Sequence, residues 1–265
     1  MSTNRPTTPV PAATTSRPVA VVTGASSGIG EQYAVRYARE GYDLVLVARS
    51  RDTLERLGAE LSARHGGAVD VHVADLASPD DVSTLAERLT SGRVDHLVNC
   101  AGASPDGDLV DADDDTLRRM VELNVVAVTR LTRAALVRMR QQGSGTVVNV
   151  ASVAAHLPMP YLAAYSASKA YVLALSEALY EENRRHGVRV LAVSPGDTDT
   201  PGNTGTSTRR RRPEQVVETT FRALRTHKPS VTDGPATALF ATLATRLLPR
   251  RTRLRVAAQV TQDRA

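Results

Sequence analysis

Tyr165 and Lys169 stand four residues apart in a stretch, Tyr165 to His186, whose apolar residues return every three or four positions. On a helix beginning near Ala163 they share one face, about one turn apart, so an ammonium is held beside a phenol. A free tyrosine has a pKa of about 10 and is a poor acid or base at neutral pH. A unit positive charge ~4 Å away, at an effective dielectric of about 20, favours the phenolate by ~4 kcal/mol. That lowers the pKa by up to roughly three, before the ammonium's own desolvation is subtracted. Tyr165 then becomes a usable general acid near neutral pH. Ser152 follows the β-branched run Thr146 to Val150, and its hydroxyl can donate to a substrate carbonyl oxygen and stabilise the charge that develops there. Each residue alone has a plainer reading: a serine after a strand caps a helix, and a tyrosine on an amphipathic helix is half-buried core. Tyr161 and Tyr171 lack a lysine four residues later and are structural or pocket-lining candidates.

A second constellation precedes these. After the run Val19 to Val22 comes Thr23-Gly24-Ala25-Ser26-Ser27-Gly28-Ile29-Gly30, and a helical pattern begins at Glu31. Small residues at Gly24, Gly28 and Gly30, flanked by Ser26, Ser27 and Ile29, let the backbone approach a pyrophosphate. The helix N-terminus adds free N–H donors and a partial positive charge. The pattern is that of a dinucleotide cradle.

The elements that must position these groups are legible as alternation. Apolar β-branched runs at Val19 to Val22, Leu44 to Val47, Val69 to Val73, His96 to Val98, Thr146 to Val150 and Val188 to Val193 are separated by helical windows. These are Gln32 to Arg39, Asp52 to Arg64, Pro79 to Thr90, Asp113 to Gln141 and Tyr165 to His186. Strands alternating with helices of this length predict a single-domain Rossmann-type α/β fold over residues 18–235, a doubly wound parallel sheet with helices on both faces. No internal repeat or linker divides it. Residues 1–17, with three prolines by Pro11 and no apolar run, read as a disordered extension.

These motifs, from about Arg17 to Thr200, resemble the short-chain dehydrogenase/reductase family. Thr23-Gly24-x-x-x-Gly28-x-Gly30 is similar to its cofactor signature, and Asp75-Leu76 stands where the family places an Asp on the adenine amino group. Asn99-Cys100-Ala101-Gly102 resembles its N-N-A-G turn, with Cys100 replacing the second Asn. Asn124, Ser152, Tyr165 and Lys169 complete an Asn-Ser-Tyr-Lys tetrad in the family's order. Pro195-Gly196 and Thr200 resemble the segment near the nicotinamide. The resemblance implies that Asn124 holds a water linking Lys169 to solvent, that Lys169 also binds the ribose, and that a hydride passes between nicotinamide C4 and a carbonyl or carbinol carbon. It also implies a homodimer or homotetramer.

The cofactor is predicted from the end of the second strand. Leu44 to Arg51 contains no carboxylate, the first being Asp52, so nothing there serves a ribose 2′-OH as in an NAD site. Arg49, beside Ser26 and Ser27, offers a fork of donors to a 2′-phosphate, which predicts NADP(H); Arg51 is the alternative contact, and solvation of a helix start is the plainer role for Arg49. In a family member of this kind, His156 to Tyr161 should line one wall of the substrate pocket, with His156 and Tyr161 beside Ser152 and Tyr165. The loop Asp197 to Pro213 should form the other and close over the bound pair. Asp197 and Thr198 are more polar than is usual after Pro-Gly. Arg209 to Arg212 read as a solvated run or as recognition of an acidic substrate.

Composition sets the outer bounds. The chain has 265 residues, 42% hydrophobic and 23% charged, which suits one large globular domain and excludes a collagen-like or disulfide-rich chain. A lone cysteine, Cys100, and the absence of Cys/His clustering exclude a disulfide framework and a structural metal and fit a reducing cytoplasm. Of 33 basic residues only two are lysines, and the net charge of +5 is uneven, because thirteen basic residues face four acidic ones from Gly205 onward. The mildly acidic body, with two Phe and no Trp, argues against nucleic-acid binding. No apolar stretch reaches the ~20 residues of a membrane span. Residues 236–265 read as an extension in which an apolar helical stretch, Ala236 to Leu248, precedes a basic cluster. It packs on the domain or at a subunit contact, with an anionic membrane surface the alternative. Two functions stay open: an NADP(H)-dependent oxidoreductase, probed by turnover, and a cofactor-binding sensor. A 3-oxoacyl chain, a polyketide intermediate, a steroid-like ketone or a sugar would each suit the first, and the apolar His156 to Tyr161 wall favours an apolar one.

Overall fold

The computed structural model describes residues 17–203, 210–234 and 249–261. Seven parallel strands form one sheet in the order β3-β2-β1-β4-β5-β6-β7. They are β1 (Val19–Thr23), β2 (Asp43–Ala48), β3 (Val69–Val73), β4 (His96–Asn99), β5 (Gly145–Val150), β6 (Val188–Ser194) and β7 (Ser230–Thr232). The central strands are continuous apolar runs because helices cover both faces. On one face α1 (Gly28–Arg39), α2 (Arg51–His65) and α7 (Pro213–Ala223) bury Tyr33, Tyr37, Leu54, Leu61 and Val216. On the other, α3 (Pro79–Ser91) and α5 (Val128–Gln142) bury Leu85, Leu89, Leu131 and Met139, and α6 (Ala163–Arg184) adds Leu179 and Tyr180 at the edge of that cluster.

The chain winds outward from β1 to β3 and then back across to β4, so the order reverses between β1 and β4. An open α/β sheet binds ligands in the crevice at that switch, beyond the carboxyl ends of its strands. The two strand ends are tied there by one hydroxyl: Thr23 Oγ1 accepts from Cys100 N (3.0 Å) and Ala101 N (3.1 Å) and donates to Val98 O (3.3 Å).

Several boundaries differ from the sequence reading. Helix α1 begins at Gly28 rather than Glu31, because the glycine-rich turn itself enters the helix. The window Asp113 to Gln141 is not one α-helix: α4 (Asp114–Val121) runs into a π-helical turn, Glu122–Ala127, before α5. Strand β7 was not expected, being three residues long and partly buried throughout. The basic cluster after Pro249 lies within a helix, α8 (Arg250–Thr261). Arg17, assigned to the extension, is anchored, its guanidinium donating to His65 O at 3.1 Å. Residues 1–16 and the stretch Ala236 to Leu248 lie outside the described residues.

Beneath the site the sheet encloses a polar network. Asn99 Nδ2 donates to Thr132 Oγ1 (3.0 Å) and to Asn149 Oδ1 (2.8 Å), and Asn149 Nδ2 donates to Ser176 Oγ (3.0 Å). All four residues are buried. The network couples β4 and β5 to α5 and to α6, the helix that carries Tyr165 and Lys169. Truncating Asn149→Ala removes one buried hydrogen-bond partner each from Asn99 and Ser176, and urea unfolding is expected to show a loss of about 2–4 kcal/mol. A loss below about 0.5 kcal/mol, the level of an ordinary surface substitution, would mean the network does not tie these elements together.

Candidate active site

A cleft of about 1440 Å³ opens at the carboxyl ends of the strands. It brings together Gly24, Ser26, Ser27, Gly28, Ile29, Gly30, Arg49, Asp75, Leu76, Ala101, Gly102, Ser152, Tyr165, Lys169, Pro195, Gly196 and Thr200. Four expected residues are not on its wall: Asn99, Asn124, His156 and Tyr161. A smaller groove of about 780 Å³ between α1 and α7 holds none of the expected cofactor or catalytic residues and is lined by Arg211 of the arginine run.

Ser152 lies two residues beyond β5 in extended conformation, and its Oγ accepts from Ala154 N at 3.2 Å, capping the short turn Val153–Ala155. The capping and the chemical readings are compatible, because an accepting hydroxyl keeps its own proton for another oxygen. One turn into α6, the ammonium of Lys169 lies over the Tyr165 ring, 5.9 Å from its centroid. Lys169 is buried, donates to Val150 O at 2.9 Å, and is pushed down to about 8 by desolvation. Burial also pushes the Cys100 thiol up to about 12, weakly opposed by Lys169. The turn tolerates Cys100 because its backbone, not its side chain, is what Thr23 holds.

Asn124 is fully buried in the π-helical turn, and its amide is saturated. Oδ1 accepts from Ala103 N (3.0 Å), while Nδ2 donates to Ala103 O (2.9 Å) and Ser168 Oγ (3.1 Å). The side chain thus staples the loop after β4 to α6 rather than facing the cleft. Gly102 fits between, since a Cβ there would lie 3.3 Å from both Asn124 Oδ1 and Lys169 Nζ. Asn99 points into the network below. His156 turns to β7, its Nε2 3.4 Å from Thr232 Oγ1, and Tyr161 adopts φ 60 while its carbonyl accepts from Gly107 N (2.9 Å). Met159 and Leu162 take their place on the wall. The reversal of direction in this turn could not be read from residue types.

The wall also contains residues not expected from the sequence: Ser104, Pro105 and Asp106 after β4, Thr116, Arg119, Met120 and Leu123 along α4 and its π-helical extension, and Thr261 from α8. The spacing of 116, 119, 120 and 123 is that of one helical face, a signal present in the sequence. Arg119 pairs with Asp75 at 2.6 Å. Burial acts to raise the Asp75 pKa, but the bonds from Arg119 and Ala77 N and the nearby Arg49 charge hold it below the usual carboxylate range. Among the described residues Arg49 makes no side-chain hydrogen bond or ion pair, whereas Arg51 pairs with Glu55 at 3.3 Å.

Within the arginine run, Arg210 and Arg211 are partly buried and paired, whereas Arg212 is exposed, as a solvated run requires. Arg210 is within 3.6 Å of Asp199, and Arg211 pairs with the fully buried Asp233 at 2.8 Å. Arg212 precedes α7 and donates its backbone N–H to Gln215. Arg209 lies outside the described residues.

The sequence profile of short chain dehydrogenases matches residues 18–211. The chain belongs to that family. An uncharacterized oxidoreductase of Staphylococcus saprophyticus is 33% identical over 211 residues, 78% of this chain and 90% of that protein. The very-long-chain 3-oxoacyl-CoA reductase of Homo sapiens is 34% identical over 180 residues, 66% of this chain and 58% of that protein. Among solved structures, a short-chain dehydrogenase from Sphingobium yanoikuyae in complex with NADPH superposes with a TM-score of 0.78 at 36% identity, covering 81% of this chain and 87% of that one. A bulky-bulky ketone specific alcohol dehydrogenase from Comamonas testosteroni gives 0.77 at 31% identity, covering 94% of both chains. The family comprises oxidoreductases that use nicotinamide cofactors.

The cradle fits such a dinucleotide. Gly24 and Gly28 have φ of 68 and 57, and a Cβ on Gly30 would lie 2.1 Å from Gly24 O, so side chains are excluded where a pyrophosphate must approach. Ser27 stands at the N-cap of α1 without a side-chain cap bond, which leaves the first-turn amides for an anion. No described helix is long and apolar enough to cross a membrane.

The buried ammonium has a pH signature. Its pKa falls from 10.5 unfolded to about 8 folded, so between those values the unfolded chain holds a proton that the folded chain lacks. The stability of wild type relative to Lys169→Met should therefore rise from pH 8 to pH 10.5. Urea unfolding of both proteins at several pH values in that window measures it; a constant or falling difference would contradict the burial of the charged form.

Proposed function

We propose that the chain is an NADP(H)-dependent oxidoreductase that moves a hydride between nicotinamide and a carbonyl or secondary alcohol, acting as a ketoreductase on an apolar substrate. One observation carries this reading: Tyr165, with the buried Lys169 ammonium over its ring, shares one cleft with Ser152 and a glycine cradle open to a pyrophosphate. When bound, the nicotinamide supplies the hydride. Ser152 donates a hydrogen bond to the substrate oxygen and keeps its proton, and Tyr165 delivers the one proton that oxygen needs as charge develops on it. Lys169 favours the tyrosinate that remains and, on the family's pattern, holds the ribose. The Asn124 side chain fixes the loop and helix that frame these groups, and on the family's pattern Asn124 also holds the water that links Lys169 to solvent.

The exposed, unpaired Arg49 beside Ser26, Ser27 and Ser50 supports recognition of a 2′-phosphate. Asp75 supports contact to the adenine, with Arg119 sharing its carboxylate. Ala154, Met159 and Leu162 offer an apolar wall near Ser152, consistent with an acyl or cyclic ketone. The named activities of the 3-oxoacyl-CoA reductase and the ketone-specific dehydrogenase agree with such a substrate. Reduction is the working direction, since an NADP pool is held reduced, and the single cysteine suits a reducing cytoplasm.

NADPH oxidation across a panel of acyl, cyclic and sugar ketones tests the assignment. Tyr165→Phe is expected to lose ~10²–10⁴ of kcat while NADPH binding persists. Turnover surviving in that variant would refute the role of the phenol. Tight NADPH binding with no turnover by either protein would shift the reading to a cofactor-binding sensor. Arg49→Ala should lower the preference for NADPH over NADH by ~10–100-fold, the loss of a charge-assisted fork. An unchanged ratio would remove Arg49 from cofactor choice.

A further inference from the structure

The chain beyond β6 carries Asp197, Thr198 and Thr200 along the cleft, and its course is set by a residue that does not touch the cleft at all. Arg211 N donates to Asp197 O, and Arg211 O accepts from Asp199 N, both at 2.8 Å, so Thr198 and Arg211 form an isolated parallel bridge. The guanidinium meets Asp233 as a two-pronged fork, Nε to Oδ2 and Nη2 to Oδ1, each at 2.8 Å. Asp233 is fully buried. Its Oδ1 also accepts from Thr219 Oγ1 (2.6 Å), and its N–H donates to Ser194 O (2.9 Å) at the end of β6. The fork is therefore seated on the sheet and on α7, not on a mobile surface. At the far end of the segment, a Cβ built on Gly28 would lie 2.9 Å from Thr200 Cγ2, so Thr200 abuts the glycine cradle.

We propose that Arg211 is a positioning residue of the oxidoreductase: by gripping buried Asp233 it fixes the register of Asp197 to Thr200 and seats Thr200 against Gly28. It thereby sets the wall on which dinucleotide and carbonyl are aligned. The inference rests on the function proposed above. Arginine is required because its planar fork fixes both distance and direction, whereas a lysine ammonium supplies a point charge without that geometry.

Two variants separate alignment from folding. Arg211→Lys keeps the charge, and the double change Arg211→Met with Asp233→Leu removes both charges, so no carboxylate is buried unpaired. Tyr37→Phe is the comparison for stability alone, because it deletes the 2.9 Å bond to His96 at the opposite end of β4. Urea midpoints, NADPH and NADH titrations by nucleotide fluorescence, and kcat with KM are measured for all of them. Both clamp variants are expected to fold, to weaken NADPH binding about tenfold and to lose ~10–100-fold in kcat/KM, as a misplaced wall predicts. Tyr37→Phe is expected to stay within about twofold of wild type at any loss of stability. Clamp variants that keep NADPH affinity and kcat/KM within about twofold overturn the proposal, as does a Tyr37→Phe protein that loses both in step with its stability. A wild-type chain that binds neither nucleotide overturns the oxidoreductase reading itself, an outcome distinct from binding that is equal in wild type and Arg211→Lys.

Discussion

A positive charge buried at Lys169 is the constraint around which the site is arranged. Taking an ammonium out of water is costly unless its protons find acceptors, and Val150 O supplies one at the end of β5. That carbonyl is available because β5 stops there and the chain turns at Ser152, which also delivers the serine hydroxyl. Gly102 leaves the space, and Asn124 keeps the loop on which Gly102 lies from filling it. The residues around the ammonium are therefore selected by its geometry, and the chemistry of Tyr165 follows from the same placement.

The second organising fact is topological. Because the strand order reverses between β1 and β4, two strand ends part and leave a crevice, and Thr23 bridges them with one hydroxyl. Glycines on one lip and small residues on the other keep that crevice open. The segment after β6 lines it on the far side, bridged main chain to main chain with Arg211, whose guanidinium meets the buried Asp233 next to β7. Cradle, proton donors and cover come from four separate stretches of chain, and only the parallel sheet makes them neighbours.

Much of this was legible in the residues. The cradle and the Tyr165/Lys169 pair are local patterns, set by spacing within one turn or one helix, and the alternation of β-branched runs with helical windows gave the sheet. Failures occurred wherever a side chain's direction depends on distant partners. Asn99 and Asn124 were placed correctly along the chain, yet their amides are consumed by Asn149 and Ala103. Tyr161 turns away through a left-handed backbone that residue type does not announce. Arg211 looked like surface because its acceptor lies 22 residues further on. Strand β7 has three residues and no periodicity to detect, and the π-helical turn leaves no mark on the apolar repeat.

The sole thiol has a practical corollary. Alkylating and maleimide reagents attack the thiolate, and burial disfavours that form of Cys100. Cys100 is thus held toward its less reactive thiol form although it borders the cleft. A fluorophore or spin label can be directed to a cysteine introduced at Val110, which is 90% exposed, with the native thiol left in place. The protein comes already prepared for single-site labelling, and the turn built on Cys100 need not be disturbed to obtain it.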